Sequence, residues 1–217
     1  MIHFSLNGGG RAPLEILCLG SHSDDIEIGC GGTLLTLAER HPGSRIHWVV
    51  FSAKDERRAE AVRGSELFTA AGTLGKQILR TFPDGFLPFV GDEVKNLFEE
   101  LKRETNPDLI FTHYRKDAHQ DHRLLSEVTW STFRDHMILE YEIPKYDGDM
   151  GAPNFFVPLT DTVCRKKVSS ILETFQSQHG RRWFREETFM ALMRLRGMES
   201  NAPSGYAEAF YCRKLVL

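Results

Sequence analysis

The sequence lacks any apolar run approaching the roughly 20 residues that a helix needs to cross a bilayer, so no membrane span is expected. It also lacks paired cysteines. Cys18, Cys30, Cys164 and Cys212 are scattered without a C-x-x-C pair, which argues against a disulfide framework and a closed thiolate metal site and points to a reducing, cytoplasmic compartment. Charge of one sign is missing too. The formal net charge is -3, and basic residues such as Arg57, Arg58, Arg181 and Arg182 sit in small groups, leaving no footprint for nucleic acid. The opening MIHFSLNGGGRAP has no apolar core followed by a small-residue cleavage site, and residues 1–13 read as a loose N-terminal segment. Internal repeats, low-complexity tracts and linkers are absent as well, so residues 1–217 are expected to form a single domain.

What is present is ordinary for a globular protein, with 41% hydrophobic and 26% charged residues. The organising stretch is Leu14 to Thr33, LEILCLGSHSDDIEIGCGGT. Ile16, Leu17, Cys18 and Leu19 form a short continuous apolar run closed by Gly20, which predicts a central strand covered on both faces. His22, Asp24, Asp25 and Glu27 follow at once, on the edge of an open parallel sheet where ligands bind. Gly29, Gly31 and Gly32 are expected to let the backbone turn sharply into a helix over Thr33–Arg40. The glycine spacing does not give G-x-G-x-x-G, and the acids before it would repel a pyrophosphate, which excludes a dinucleotide site.

Further strands are predicted at 45–52, 77–82, 109–112 and 137–143, with an extended piece at 154–159 and a strand at the C-terminal end. Helices are predicted at 53–74, with Ala61, Leu67, Ala70 and Ala71 inward and Gly75 as its stop, at 92–105, and at 123–133. Two more are predicted, one capped by Asp161 and running to about 178, the other near 186–196 and ended by Gly197. Alternating strands and helices argue for a parallel sheet with right-handed crossovers. The run HYRKDAHQDHR, with His113, Asp117, His119, Asp121 and His122, then leaves the fourth strand on the same edge as the first cluster.

A catalytic zinc typically takes three ligands from His, Asp or Glu. His22, Asp25 and one histidine of the second cluster meet that count, with another divalent transition metal as an alternative ion. Asp24, next to a ligand, is left as general base for a zinc-activated water. The spare imidazole, His119 or His122, is available for the oxyanion and the departing amine. These parts describe metal-assisted hydrolysis of an amide or ester.

The residues His22 to Thr33, HSDDIEIGCGGT, followed by Thr112-His113 and His119 to Arg123, HQDHR, resemble the LmbE/PIG-L family of zinc-dependent de-N-acetylases acting on N-acetylglucosamine-type conjugates. The likeness continues through Arg63 to Gly75, Pro83-Asp84-Gly85 and RG...YAEAF at 196–210. It implies a Rossmann-like three-layer sandwich, His22, Asp25 and His122 as zinc ligands, Asp24 as base, and His119 as the group steadying the tetrahedral intermediate. It further implies Arg63 and Asp84 as substrate contacts. The implied partner is a small-molecule aminosugar conjugate; a homo-oligomer is compatible with the sequence.

Ser23, Ile26 and Gln120 depart from the family pattern without disturbing ligand spacing. Asp117 stands where some members carry a tyrosine that assists at the oxyanion, and a carboxylate there would repel that charge. Asp121 is read as the carboxylate that orients a ligand imidazole, since metal-bound histidines commonly lean on one. Asp84 also suits a P-D-G turn and Arg63 a solvated helix face, while Glu208 suits either a buttress of the site or an ion pair with an arginine. The alternatives to a deacetylase are a non-catalytic metal- or sugar-binding module, or hydrolysis of another N-acyl amide or an ester. Specificity is assigned to the loops at 115–118 and 146–154.

Overall fold

The computed structural model describes residue 6 and residues 12–69 and 73–216. Its strands are β1 (Glu15–His22), β2 (Arg45–Ser52), β3 (Leu74–Leu79), β4 (Leu109–His113), β5 (Met137–Tyr141), β6 (Phe155–Pro158) and β7 (Ala207–Cys212). The helices are α1 (Asp25–Arg40), α2 (Glu56–Phe68), α3 (Gly91–Glu104), α4 (Gln120–Thr132), α5 (Asp161–Thr174) and α6 (Glu186–Glu199). The strands make one sheet in the order β3-β2-β1-β4-β5-β7-β6. The first five run parallel, and β7 is antiparallel to both β5 and β6.

This is the α/β architecture that strand-helix alternation predicts, and β1 and β4 lie side by side at its centre. Alternate residues of a strand face opposite sides. Ile16 and Cys18 accordingly join one core with Trp48, Phe111 and Tyr141, against α1, α2, α5 and α6. Leu17 and Leu19 join a second core with Phe51 and Ile110, against α3 and α4. Helix α3 buries Val94, Leu97, Phe98 and Leu101, the stripe read from its spacing. No helix among the described residues is long and apolar enough to cross a membrane.

Several boundaries differ from those predicted. Helix α1 starts at Asp25, so Gly29, Gly31 and Gly32 lie inside it and make no turn. Glycine inside a helix costs about 1 kcal/mol relative to alanine, and here the reason is close packing. A Cβ at Gly29 would lie 2.2 Å from Tyr141 Cδ2, one at Gly31 2.5 Å from Phe68 Cε1, and one at Gly32 2.6 Å from Leu159 Cδ1. Gly75 lies within β3 and does not stop α2, which ends at Phe68; Ala70 and Ala71 fall outside the described residues. Most of the segment 1–13 falls outside them too. Thr160, whose hydroxyl accepts from Val163 N at 3.2 Å, caps α5 in place of Asp161. Gly197 lies inside α6, where a Cβ would come within 2.1 Å of the Gly205 carbonyl oxygen.

A buried ion pair fixes the middle of α1. Lys167 Nζ donates to Glu208 Oε1 at 2.5 Å and to the Ile28 carbonyl at 2.7 Å. Glu208 in turn accepts from Gly32 N at 2.8 Å and Thr33 N at 2.6 Å. Glu208 thus pairs with a lysine, not an arginine, and serves the seat of α1.

Overpacking a filled core typically costs about 1–3 kcal/mol, which outweighs the helix-propensity gain of roughly 1 kcal/mol from alanine. Gly29→Ala is therefore expected to lower the urea midpoint. Gly91→Ala, at a helical site with nothing within 4 Å of the added Cβ, is expected to leave it unchanged or raise it slightly.

Candidate metal centre

His22 closes β1 and His113 closes β4, so the parallel pairing of these strands brings both sequence clusters to one carboxyl edge. Asp24 occupies the N-cap position of α1 and Asp25 its first turn, while His119 caps α4 and Asp121 and His122 fill that helix's first turn. Negative side chains are favoured at helix N-termini, which suits Asp24, Asp25 and Asp121 to these places.

Asp25 is the hub. Its Oδ2 accepts from His22 N at 2.6 Å and lies 3.3 Å from His22 Nδ1 and 3.2 Å from His113 Nε2, and its Oδ1 is 3.6 Å from His122 Nε2. His22 Nδ1 and His122 Nε2 face each other at 3.2 Å. Burial pushes the Asp25 carboxyl up, but the imidazoles of His122, His113 and His22 outweigh it and hold the group well below the usual carboxylate range. His122 itself is pushed down to about 3, by burial first and then by His113. Burial also depresses His22, yet Asp25, Asp121 and Asp84 carry it well above its ordinary value.

Carboxylates hold the backs of the rings. His22 Nε2 lies 3.3 Å from Asp121 Oδ2 and 3.0 Å from Asp84 Oδ1. Asp121 also accepts from Gly85 N at 2.8 Å and Leu87 N at 3.1 Å, which ties the P-D-G turn to the cluster. His122 Nδ1 is 2.9 Å from Asp117 Oδ2. Asp117 therefore faces a ring nitrogen and the Lys145 ammonium, at 2.8 Å, instead of an oxyanion. The repulsion expected from a carboxylate at that position does not arise.

Asp24 is 4% exposed, and its Oδ1 accepts from Arg57 Nη2 at 2.9 Å. Burial raises its pKa and the Arg57 guanidinium opposes that rise. Arg57 also reaches Asp84 Oδ2 at 3.4 Å. Arg63 lies exposed on the same helix, about 9 Å further along the axis at 1.5 Å per residue. The arginine at the cluster is thus Arg57, one of the small basic groups, and not Arg63.

His119 is half-buried, and its Nδ1 accepts from Asp121 N at 3.2 Å. That bond fixes the neutral ring with its proton on Nε2, a donor. His113 is fully buried and stacked on His122 at 3.8 Å. Its Nε2 accepts from Ser21 N at 3.0 Å, which takes up the lone pair a ligand would need and makes His113 a brace.

Candidate ligand atoms within 4.8 Å of one another occur in His22, His119 and His122, in His22, Asp84, His119 and Asp121, and in Asp25, His113 and His122. His22 Nδ1 and His122 Nε2 lie 3.2 Å apart, with Asp25 Oδ2 3.3 Å from the first and Asp25 Oδ1 3.6 Å from the second. Tetrahedral zinc with bonds of about 2.0–2.1 Å sets neighbouring ligand atoms about 3.3–3.4 Å apart. The trio fits that ion. An apolar-walled cavity elsewhere, lined by Ile28, Gly29, Phe189 and Met193, also carries Glu142, Lys167, Arg196 and Glu208. These charges already pair with one another, Arg196 with Glu142 at 2.7 Å and Lys167 with Glu208 at 2.5 Å.

Residues 17–133 match the family described as GlcNAc-PI de-N-acetylase, PIG-L. The chain is 30% identical over 138 residues to the uncharacterized deacetylase YaiS of Escherichia coli (strain K12), covering 59% of this chain and 74% of that one. Among solved structures it resembles the N,N'-diacetylchitobiose deacetylase of Pyrococcus horikoshii, with a TM-score of 0.73 and 21% identity over 97% of this chain and 87% of that one. It resembles equally the 4-carboxy-2-hydroxymuconate hydratase GalB of Pseudomonas putida KT2440, with a TM-score of 0.75 and 19% identity over 94% and 98% of the two chains. At these identities the structural likeness establishes the fold.

Asp121→Ala is expected to free the Gly85 and Leu87 amides, raising their hydrogen-exchange rates by roughly tenfold or more, as for loss of a charge-assisted bond. Unchanged exchange at both amides would show that the turn is held by something else.

Proposed function

The chain belongs to the GlcNAc-PI de-N-acetylase (PIG-L) family, and on that premise we propose that it is a zinc-dependent N-deacetylase of an N-acetylglucosamine-type sugar conjugate. The observation that carries this reading is the buried face of His22 Nδ1, His122 Nε2 and the Asp25 carboxylate, with Asp24 adjacent in sequence and held by Arg57. His22, Asp25 and His122 are the ligands in this reading. Zinc bound there would supply a Lewis acid that polarises the amide carbonyl and lowers the pKa of water toward about 7.

The chain's own groups do the rest. Asp24 takes a proton from the attacking water as general base. Nε2–H of His119 donates to the carbonyl oxygen as negative charge develops on it. A neutral His119, its Nδ1 engaged by the Asp121 amide, has no proton to spare, so Asp24 returns the proton to the leaving nitrogen as the C–N bond breaks. Water and amide are consumed, and acetate and amine form. Asp84, with a 58% exposed side chain, and Arg57 beside it are suited to hold sugar hydroxyls. Arg63, exposed to solvent further along the same helix, is suited to an outer part of the conjugate. The unpaired thiols of Cys18, Cys30 and Cys164, all buried, favour a reducing compartment such as the cytoplasm.

A fold shared with a hydratase leaves the bond attacked to be decided by experiment. Zinc-loaded protein is expected to release acetate from at least one N-acetylaminosugar conjugate in a screen of such compounds. Asp24→Asn should keep about one zinc per chain, as expected for a site with its ligands intact, while turnover falls roughly 10²–10⁴-fold. His122→Ala should lose the metal. Tight zinc binding with no acetate from any conjugate would favour a binding module, and an Asp24→Asn variant as fast as the parent would remove Asp24 from the mechanism.

A further inference from the structure

Lys145, just beyond β5, takes no part in the deacetylation chemistry above, yet its side chain is only 11% exposed. Its Nζ lies 2.8 Å from Asp117 Oδ2 and 2.8 Å from Asp149 Oδ2. The Asp117 oxygen it touches is the one 2.9 Å from His122 Nδ1. A single carboxylate oxygen therefore serves both an ammonium and the back of an imidazole. The other oxygen of Asp117 accepts from His119 N at 2.8 Å. Asp149 Oδ2 accepts from Ala118 N at 2.6 Å, so the loop after β5 is clipped to the loop after β4.

We infer that Lys145 is a positioning residue for the metal centre, pinning Asp117 against His122 Nδ1 so that Nε2 of that ring stays turned toward His22 and Asp25. The inference rests on the ligand reading of His122 given above. The physical argument starts from burial. Asp117 is 2% exposed, and an ionised carboxylate so enclosed is costly unless it is paired and hydrogen-bonded. Neutral donors, the His119 amide and a ring N–H, supply hydrogen bonds; Lys145 supplies the charge.

With Asp117 ionised and fixed, Nδ1 of His122 carries the proton and the Nε2 lone pair is free for a metal. Without the ammonium, the enclosed Asp117 has lost its countercharge, and its carboxylate swings away from the ring toward solvent. That movement releases the ring from the one tautomer and orientation a ligand needs. The same ammonium, through Asp149, joins the loop at 146–154 to this carboxylate.

Zinc affinity measured by competition with a chromophoric chelator, on the intact protein, tests this. Lys145→Met is expected to weaken zinc by about tenfold or more, in the range seen when an outer partner of a ligand is lost. Asp117→Asn should weaken it at least as much, and in that background Lys145→Met should cost little more, because both act through one contact. Long-range ¹H–¹⁵N spectra should show His122 as a single Nδ1–H tautomer in the parent and as a mixture in Lys145→Met. Asp149→Asn removes that carboxylate's charge but keeps the Lys145–Asp117 pair, so its zinc affinity should match the parent, as should that of Lys76→Met, a surface control paired with Glu104. Lys145→Gln is read in the same way where Lys145→Met does not fold, as judged by circular dichroism.

Parent-like affinity in a folded Lys145 variant overturns the inference, as do additive losses in the double variant or a loss in Asp149→Asn equal to that in Lys145→Met. In those cases the parent still binds zinc and the ligand reading survives. A parent that binds no zinc overturns both.

Discussion

The structure depends on one buried anion. Asp25 is 3% exposed, takes the backbone N–H of His22 and sits among three imidazoles. An isolated carboxylate in that position would cost several kcal/mol or simply protonate. It stays charged because the His22 N–H bonds to it and the ends of β1 and β4 and the first turn of α4 gather imidazoles around it. The same convergence presents ring nitrogens to each other at 3.2 Å, an arrangement two neutral imidazoles gain little from unless one carries a proton or both face a cation. The fold and the proposed metal site are therefore two consequences of how that charge is housed.

The strands were readable because a sheet covered on both faces demands continuous apolar runs, and β2 and β4 supply them almost to the residue, while β1 runs on past Gly20, expected to close it, as far as His22. Co-location of HSDD with HQDH was readable too, since alternation of strand and helix puts successive carboxyl ends on one edge. The glycines were not. Local preference makes a glycine run a turn, but Tyr141, Phe68 and Leu159, which press on Gly29, Gly31 and Gly32, lie far away in sequence and override it. Helix α2 misled in a similar way. Its start decides which arginine meets Asp24, and a shift of under two turns separates Arg57 at the cluster from Arg63 in solvent. Asp117 could be placed near the site but not aimed, because its partner Lys145 arrives from a different strand.

A scaffold that serves both a deacetylase and a hydratase positions water-handling groups without dictating the bond they attack. Selectivity must come from what surrounds the edge. On one flank the P-D-G turn after β3 is tied to Asp121, and on the other the loop after β5 is tied to Asp117 and Ala118. Both are loops by hydrogen-bond pattern, yet each is bonded to a carboxylate that holds a ring of the cluster. Sequence change in either flank is thus felt at the metal face as well as by the substrate.

The buried ion pairs on the far side of α1 follow the same logic. Lys167–Glu208 and Arg196–Glu142 are each nearly free of solvent, and such pairs are weak sources of net stability. Their partners reveal another role. Lys167 and Glu208 take up the Ile28 carbonyl and the Gly32 and Thr33 amides, and Arg196 takes up the Gly151 carbonyl. These are directional contacts that an apolar side chain cannot make, and those of Lys167 and Glu208 specify where along its axis α1 sits. Since α1 carries Asp24 and Asp25 on its first residues, a slide of even 0.5 Å would spoil a ligand face of the kind that tolerates about that much error. The charges behind the helix fix the geometry in front of it.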